Sequence, residues 1–395
     1  MKLNIVGGFL GSGKTTAITN GSKVLMQLGQ QVAVVTNDQG KYLVDTRFVD
    51  SNEIPTAEVT NGCFCCNFNS LTDQIEYLEQ KFNPDIIFAE SVGSCTDLVA
   101  TVLKPLQLLK KELFDELTFS VFVDSRLLLE YLLDKKLPFS DAIAYIFEKQ
   151  IEEAEFLIVN KVDLLSVEDI IILRKLTNTL FGNKVLIFQN SLNPENIQQW
   201  LASLEKPAFR RKDVLDIDYQ VYGKGEADLA WLDEEIDIQT DDLSAWKHAI
   251  EFIDSLISQI NSYEIPIGHL KFLLLGEGVS HKISFTTIFD EDWKKWVPDF
   301  EINSVQLMVN SRIETTPDVA KEIVKKGVVA ISGAGVFVSE NHKQAFQPGF
   351  PNPTHRITQK MPCCEECRCI KNMINSQIED CLCECNLDDG CCCSF

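Results

Sequence analysis

The chain is short of positive charge. Its 395 residues carry 36 Lys and Arg against 58 Asp and Glu, a net charge of −22. A surface of that sign repels phosphate backbones and anionic headgroups, so nucleic acid and membrane surfaces are poor partners. Long apolar runs are also missing, and no stretch approaches the ~20 residues of a membrane span. A secretion signal is lacking too. Lys2 and the apolar residues after it mimic one faintly, but Gly7 and Gly8 interrupt it too early. These absences point to a soluble, cytoplasmic protein. At 395 residues and 45% apolar content, it is long enough for two or three domains with a large core.

What is present begins with Gly8-Phe9-Leu10-Gly11-Ser12-Gly13-Lys14-Thr15, a complete P-loop followed by Thr16. It lies between a short apolar strand, 2–6, and a helix expected over 15–28. The glycines let backbone N–H groups converge on phosphate oxygens, and the helix N-terminus adds its positive dipole end. Lys14 is expected to reach the β- and γ-phosphates, and the Thr15 hydroxyl to ligate Mg²⁺. Downstream, Phe156–Val159 leads into Asn160-Lys161-Val162-Asp163, an N-K-x-D turn of the kind that reads guanine. The Asp163 carboxylate would accept from guanine's N1–H and exocyclic amine, whereas adenine would leave that charge unpaired. Between the two, apolar 86–89 ends in Glu90, where an acid beside the phosphates holds the Mg²⁺ shell. Gly93 is placed to sense the γ-phosphate. A third signal is Gly62-Cys63-Phe64-Cys65-Cys66, whose thiolates favour Zn²⁺ or another thiophilic cation. Three neighbouring cysteines cannot easily fill four tetrahedral corners, so this site is expected to be open or completed by another residue.

The order GGFLGSGKTT, TNDQG, GCFCC, ESVG, NKVD resembles the CobW family of metallochaperone GTPases, relatives of HypB and UreG. The resemblance covers roughly 1–205 and is weak over 210–330. It implies a GTPase, a hydrolase of GTP, coupled to handling a metal or a metal-bearing cofactor, with the family's C-x-C-C motif on Cys63, Cys65 and Cys66. The first switch departs from the family pattern. Asn37-Asp38-Gln39-Gly40-Lys41 stands where relatives carry Asn-Glu-Phe-Gly-Glu, so Asp38 keeps the first acid and Lys41 replaces the second. Lys14, Thr15, Asp38 and Glu90 are the candidate catalytic residues, with Asp38 in the Mg²⁺ or attacking-water shell. No arginine finger or catalytic glutamine is evident, which implies slow turnover completed by a client metalloprotein or by self-association as a homodimer. Two other readings stand beside this one: an accessory GTPase for a corrinoid or other metallo-cofactor enzyme, and a metal store or sensor.

The expected architecture is α/β. A P-loop NTPase domain with a mostly parallel sheet and helices on both faces covers 1–205, with strands at 2–6, 31–36, 85–89, 118–123, 156–159 and 184–188. A linker follows at 206–214, then a smaller α+β domain at 215–335 with strands at 217–223, 228–238, 267–275, 282–289, 303–313 and 328–332. Residues 336–360 read as a flexible linker. The cysteine-rich end, 361–395, holds Cys363, Cys364, Cys367, Cys369, Cys381, Cys383, Cys385, Cys391, Cys392 and Cys393. With no secretion signal these suit a metallothionein-like thiolate cluster better than a disulfide framework.

Overall fold

The computed structural model describes residues 1–37, 45, 49, 52–60, 62–205 and 213–358. Asp38, Lys41, residues 206–212 and all ten cysteines of the C-terminal tail lie outside the described residues.

Seven strands form one parallel sheet in the order β3-β2-β4-β1-β5-β6-β7. They are β1 (Lys2–Gly8), β2 (Val32–Asn37), β3 (Thr56–Val59), β4 (Ile86–Glu90), β5 (Glu116–Asp124), β6 (Phe156–Asn160) and β7 (Val185–Gln189). Most read as near-continuous apolar runs because both faces are covered. Alternation then assigns the faces. Leu3 and Ile5 of β1, with Phe119, Val121 and Val123 of β5, join a core under the helices Phe68–Phe82 and Asp141–Glu153. Val6 and Phe122 join the opposite core, under the helices Lys14–Gln27 and Pro194–Leu204.

A second, antiparallel sheet follows, in the order β10-β9-β11-β8-β12. Its strands are β8 (Leu229–Thr240), β9 (Ile267–Gly276), β10 (Val279–Phe285), β11 (Ser304–Glu314) and β12 (Val336–Phe346). Leu270, Phe272 and Leu274 of β9, Ile283 and Phe285 of β10, and Leu307 and Val309 of β11 bury against the helices Ala245–Ser262 and Pro317–Ile331. The intervening positions, among them His269, Lys271, Lys282 and Arg312, therefore project from the other face, toward the P-loop.

Several sequence expectations are corrected. Residues 217–223 were expected as a strand, but Tyr219–Ala227 is a helix. Its N-cap Asp218 accepts from Gln220 N and Val221 N. Gly225 lets the helix approach so closely that a Cβ there would lie 2.4 Å from the Ala142 carbonyl oxygen. The strand expected at 328–332 is instead the end of the helix Pro317–Ile331, held by a buried Ile323, Val324 and Ile331. The linker expected at 336–360 begins as the edge strand β12, which pairs with β8 and extends the second sheet. Beyond it, Thr354 N donates to Cys65 O at 2.8 Å and Ile357 N to Ala100 O at 2.9 Å, so 354–357 is hydrogen-bonded to the first domain. Between β4 and β5 the chain forms a π turn, Val99–Leu103, a short helix, Lys104–Leu109, and a 3₁₀ turn, Lys111–Leu113.

Trp200 anchors the core beneath the P-loop helix. It is fully buried, its ring lies 5.6 Å from Phe88 and 5.2 Å from Phe122, and Nε1 donates to Ser120 Oγ at 3.2 Å. Trp200→Ala should lower stability by about 3–5 kcal/mol. Denaturant unfolding checks this, and a loss under about 1 kcal/mol would mean that the ring is not a core element.

Candidate functional site

The turn after β1 carries the P-loop. Gly8, Gly11 and Gly13 have φ of 125°, 70° and 91°, a left-handed region open to glycine. At Gly8 a Cβ would also fall 2.1 Å from the Phe122 carbonyl oxygen. A cavity of about 130 Å³ opens over this loop. Gly11, Gly13, Lys14, Thr15 and Thr16 line it, with Glu90 from the end of β4, Gly93 just after it and Lys161 just after β6. Thr15 Oγ1 donates to Glu90 Oε1 at 2.9 Å, while Glu90 Oε2 and Ser12 Oγ are buried with no hydrogen-bond partner among the described residues. Burial, with Asp45 nearby, raises the Glu90 pKa above the usual carboxylate value. Lys14 Nζ donates to the carbonyl oxygens of Gly8 and Phe9 at 2.8 and 3.2 Å, and burial lowers its pKa to about 8.

The N-K-x-D turn is tied to the P-loop. Asn160 Nδ2 donates to Ser12 O at 2.8 Å, and Asn160 Oδ1 accepts from Ser191 N and Oγ. That brings the 190–192 turn beside it. Lys161 pairs with the buried Asp124 at 3.1 Å. Asp163 is exposed in the 3₁₀ turn Val162–Leu164, outside the cavity wall.

The cysteine loop hangs from the same end of the sheet. Asn37, at the end of β2, lines the phosphate cavity. Its Oδ1 accepts from Phe64 N at 2.9 Å, and its Nδ2 donates to Val59 O at 3.0 Å and Gly62 O at 2.8 Å. The sulfur atoms of Cys63, Cys65 and Cys66 lie within 4.8 Å of one another. Hydrogen bonds from Cys65 and Cys66 push the Cys63 thiol well below its ordinary pKa, and its charge in turn helps raise Cys66 to about 11. Such a cluster can deliver thiolate ligands to a soft or borderline cation.

Several groups at this site carried no recognisable sequence signal. Trp231, His269, Lys271, Lys282, Ser284 and Arg312 of the second sheet close the phosphate cavity. Lys271 and Lys282 both pair with Asp45, from the segment after β2. Burial opposes ionisation of Asp45, but the two ammonium groups outweigh it and hold its pKa well below the usual carboxylate value. His269 Nε2 lies 2.9 Å from Asn310 Oδ1, and burial beside Lys271 and Arg312 drives its pKa well below 6.5, so the ring is neutral. Only the period-2 alternation of GHLKF could have shown which face Lys271 takes. Nothing in the sequence shows what that face meets.

A glycine-lined phosphate cradle at the crest of an all-parallel, doubly covered sheet defines a P-loop nucleotide-binding domain. Residues 2–185, just under half of the chain, match the model of the CobW/HypB/UreG nucleotide-binding domain, and this part of the chain is similar to that domain. Among curated relatives, the zinc chaperone YjiA of Escherichia coli K12 is 32% identical over 98 residues, 24% of this chain and 30% of that protein. The zinc chaperone CobW of a Sinorhizobium species is 28% identical over 184 residues, 41% of this chain and 51% of that protein. The chain thus spans only 30% and 51% of the length of these two relatives. HypB from Helicobacter pylori, solved in complex with nickel, is 15% identical, covers 53% of this chain and 91% of its own, and has a TM-score of 0.38. At that score the likeness says nothing about how this chain works.

Asp45, Lys271 and Lys282 are mostly buried, with side chains 16%, 13% and 12% exposed. Asp45→Asn removes the carboxylate from two crowded ammonium groups and should cost about 2 kcal/mol, between the values for surface and fully buried pairs. Calorimetric melting should show the loss, and added pyrophosphate should recover more stability in the variant than in the wild type. Equal melting of the two proteins without pyrophosphate would contradict the pairing.

Proposed function

We propose that the chain binds and slowly hydrolyses GTP and uses its nucleotide state to capture a thiophilic cation, Zn²⁺ first, and deliver it to a client metalloprotein. One observation carries the reading. Asn37 lines the phosphate cavity and also holds the loop that bears Cys63, Cys65 and Cys66. A change in the phosphates that moves Asn37 must therefore move the thiols. Two curated relatives bear the name zinc chaperone, which fits this cargo.

The residues present fit a nucleotide with Mg²⁺. Glu90 Oε2 is buried and without a partner among the described residues, and the Thr15 hydroxyl lies against Oε1 of the same carboxylate. Thr15 and Glu90 would hold Mg²⁺, which when bound neutralises charge on the β- and γ-phosphate oxygens. Lys14 exchanges the Gly8 and Phe9 carbonyls for phosphate oxygens. Lys271, Lys282 and Arg312 of the second sheet add positive charge on the far side of the cavity. The backbone N–H groups of the P-loop and of Gly93 orient the phosphates. Asn160 braces the guanine turn against the P-loop, and Asp163 selects guanine through its carboxylate. Turnover is expected to be slow because the sequence shows no arginine finger or catalytic glutamine, and Asp38 is the candidate for the Mg²⁺ or attacking-water shell.

The C-terminal cysteines fit a supply role. Thr354 N and Oγ1 donate to the carbonyl oxygens of Cys65 and Cys66, both at 2.8 Å. Cys363 is nine residues further on, a span of at most about 30 Å. The first tail thiols are thus tethered within reach of Cys63, Cys65 and Cys66, where ligand exchange would pass an ion across at high effective concentration.

The wild-type chain should bind GTP at least about a hundredfold more tightly than ATP. Asp163→Asn should weaken GTP binding and admit xanthosine triphosphate, whose additional carbonyl accepts from the amide. Competition binding with the three nucleotides checks both. Equal affinity and turnover for ATP and GTP would sink the GTPase reading.

A further inference from the structure

Cys95 stands 29 positions after Cys66, outside any cysteine spacing motif. The fold nevertheless brings it to the thiol cluster. It is fully buried in the same core cluster as Cys63 and Cys65, and its thiol interacts with both of theirs. Its position is fixed from two sides. Cys95 N donates to Val92 O at 3.0 Å, closing a turn. Gln150 Nε2, from the helix Asp141–Glu153, donates to Gly93 O at 3.0 Å and to Cys95 O at 2.8 Å. On the other strand end, Cys66 N and Asn67 N both donate to Cys63 O, at 3.1 and 2.8 Å, so the three loop thiols sit on one tight turn.

The spacing suits a tetrahedron. Zinc–thiolate bonds of about 2.3 Å place neighbouring sulfurs about 3.8 Å apart. The Cys65 and Cys66 sulfurs already stand 3.8 Å apart, and those of Cys63 and Cys65, at 2.7 Å, need to open by about an ångström. Three thiolates on one turn can face an ion from one side only. Cys95 comes from a different loop, the one that follows β4.

We propose that Cys95 is the fourth thiolate of the cargo site, so that with Cys63, Cys65 and Cys66 it encloses a borderline divalent cation such as zinc in an all-sulfur tetrahedron. The proposal rests on the reading of the Cys63–Cys66 loop as the cargo site. Each thiol that coordinates gives its proton to solvent as its S–metal bond forms. Cys95 is two residues beyond Gly93, which lines the phosphate cavity. Movement of that loop withdraws one corner and leaves an ion on three ligands with an open position, the form suited to transfer. A closed four-thiolate site holds the ion and an opened three-thiolate site surrenders it.

The test uses the full chain loaded with ¹¹³Cd²⁺, whose chemical shift reports the number of thiolate ligands. The cargo-site resonance is the one lost in Cys65→Ala, which separates it from signals of the C-terminal cysteines. In Cys95→Ala, with GTP binding intact as the folding control, that resonance should move upfield as one thiolate is lost. A resonance that stays in place overturns the role of Cys95 and leaves a three-thiolate site standing. If no resonance depends on Cys65, the cargo-site reading itself fails. Should Cys95→Ala not fold, a proton–cadmium correlation on the wild-type chain decides the matter. Coupling of the Cys95 β-protons to the same cadmium as Cys65 supports the proposal, and its absence overturns it.

Discussion

The three hydrogen bonds of the Asn37 side chain are the joint between the two halves of the site. An amide at the end of β2 has two donors and one carbonyl acceptor to place. Here it spends them on Phe64 N and Gly62 O in the cysteine loop and on Val59 O at the end of β3, which leads into that loop. The same residue faces the phosphate cavity. The strand order makes this geometry inevitable. β2 and β1 flank β4, so the P-loop after β1, the Glu90–Cys95 loop at the end of β4 and Asn37 at the end of β2 share one edge of a parallel sheet. Ligands of such sheets bind at that carboxyl end. The thiols lie one loop behind the P-loop cavity, and Asn37 touches both.

The second sheet is part of this site. A Cβ at Gly11 would lie 2.2 Å from Thr286 Cγ2, and one at Gly268 would lie 2.6 Å from Leu10 Cδ1. The P-loop and the antiparallel sheet therefore touch through positions that tolerate no side chain. Alternation along β9, β10 and β11 sends apolar residues to the helices and cations to the P-loop. A chain with a net charge of −22 thus concentrates buried positive charge where phosphates would arrive. Until then Asp45 keeps Lys271 and Lys282 compensated, as buried charge requires. Phosphate oxygens that compete for these lysines would release Asp45.

Much of the first domain was legible because buried parallel strands are written as apolar runs and the P-loop as a fixed glycine pattern. β3 was missed because Thr56–Val59 is short and carries Glu58 among its four residues. The second domain was harder. Tyr-Gln-Val-Tyr at 219–222 has the residue types of a strand, yet the Asp218 cap and the close approach at Gly225 make it a helix. Gly-Val-Val-Ala-Ile at 327–331 reads as a strand by β-branching, but tertiary packing outweighs that small propensity difference. A Cβ at Gly327 would lie 2.3 Å from Leu256 Cδ1, so helix packs on helix there. β12 carries the polar run Ser339–Gln344 and no fully buried residue, as suits an edge strand, and so it resembled a linker. In the site, local motifs were visible and long-range partners were not. Cys95, Asp45, Lys271 and Lys282 reach the functional centre only through folding, and Asp38 and the C-terminal cysteines lie outside the described residues.

The central claim is that phosphates and thiols are energetically linked through Asn37 and the Gly93–Cys95 loop. Linkage is reciprocal, so bound zinc must change the preference for one nucleotide state over the other. The direct measurement is the ratio of affinities for a non-hydrolysable GTP analogue and for GDP, taken with and without one equivalent of zinc, in the wild-type chain and in Cys65→Ala. The account predicts that zinc shifts the wild-type ratio by at least about fivefold and leaves the Cys65→Ala ratio unchanged. A wild-type ratio that zinc does not move would contradict it.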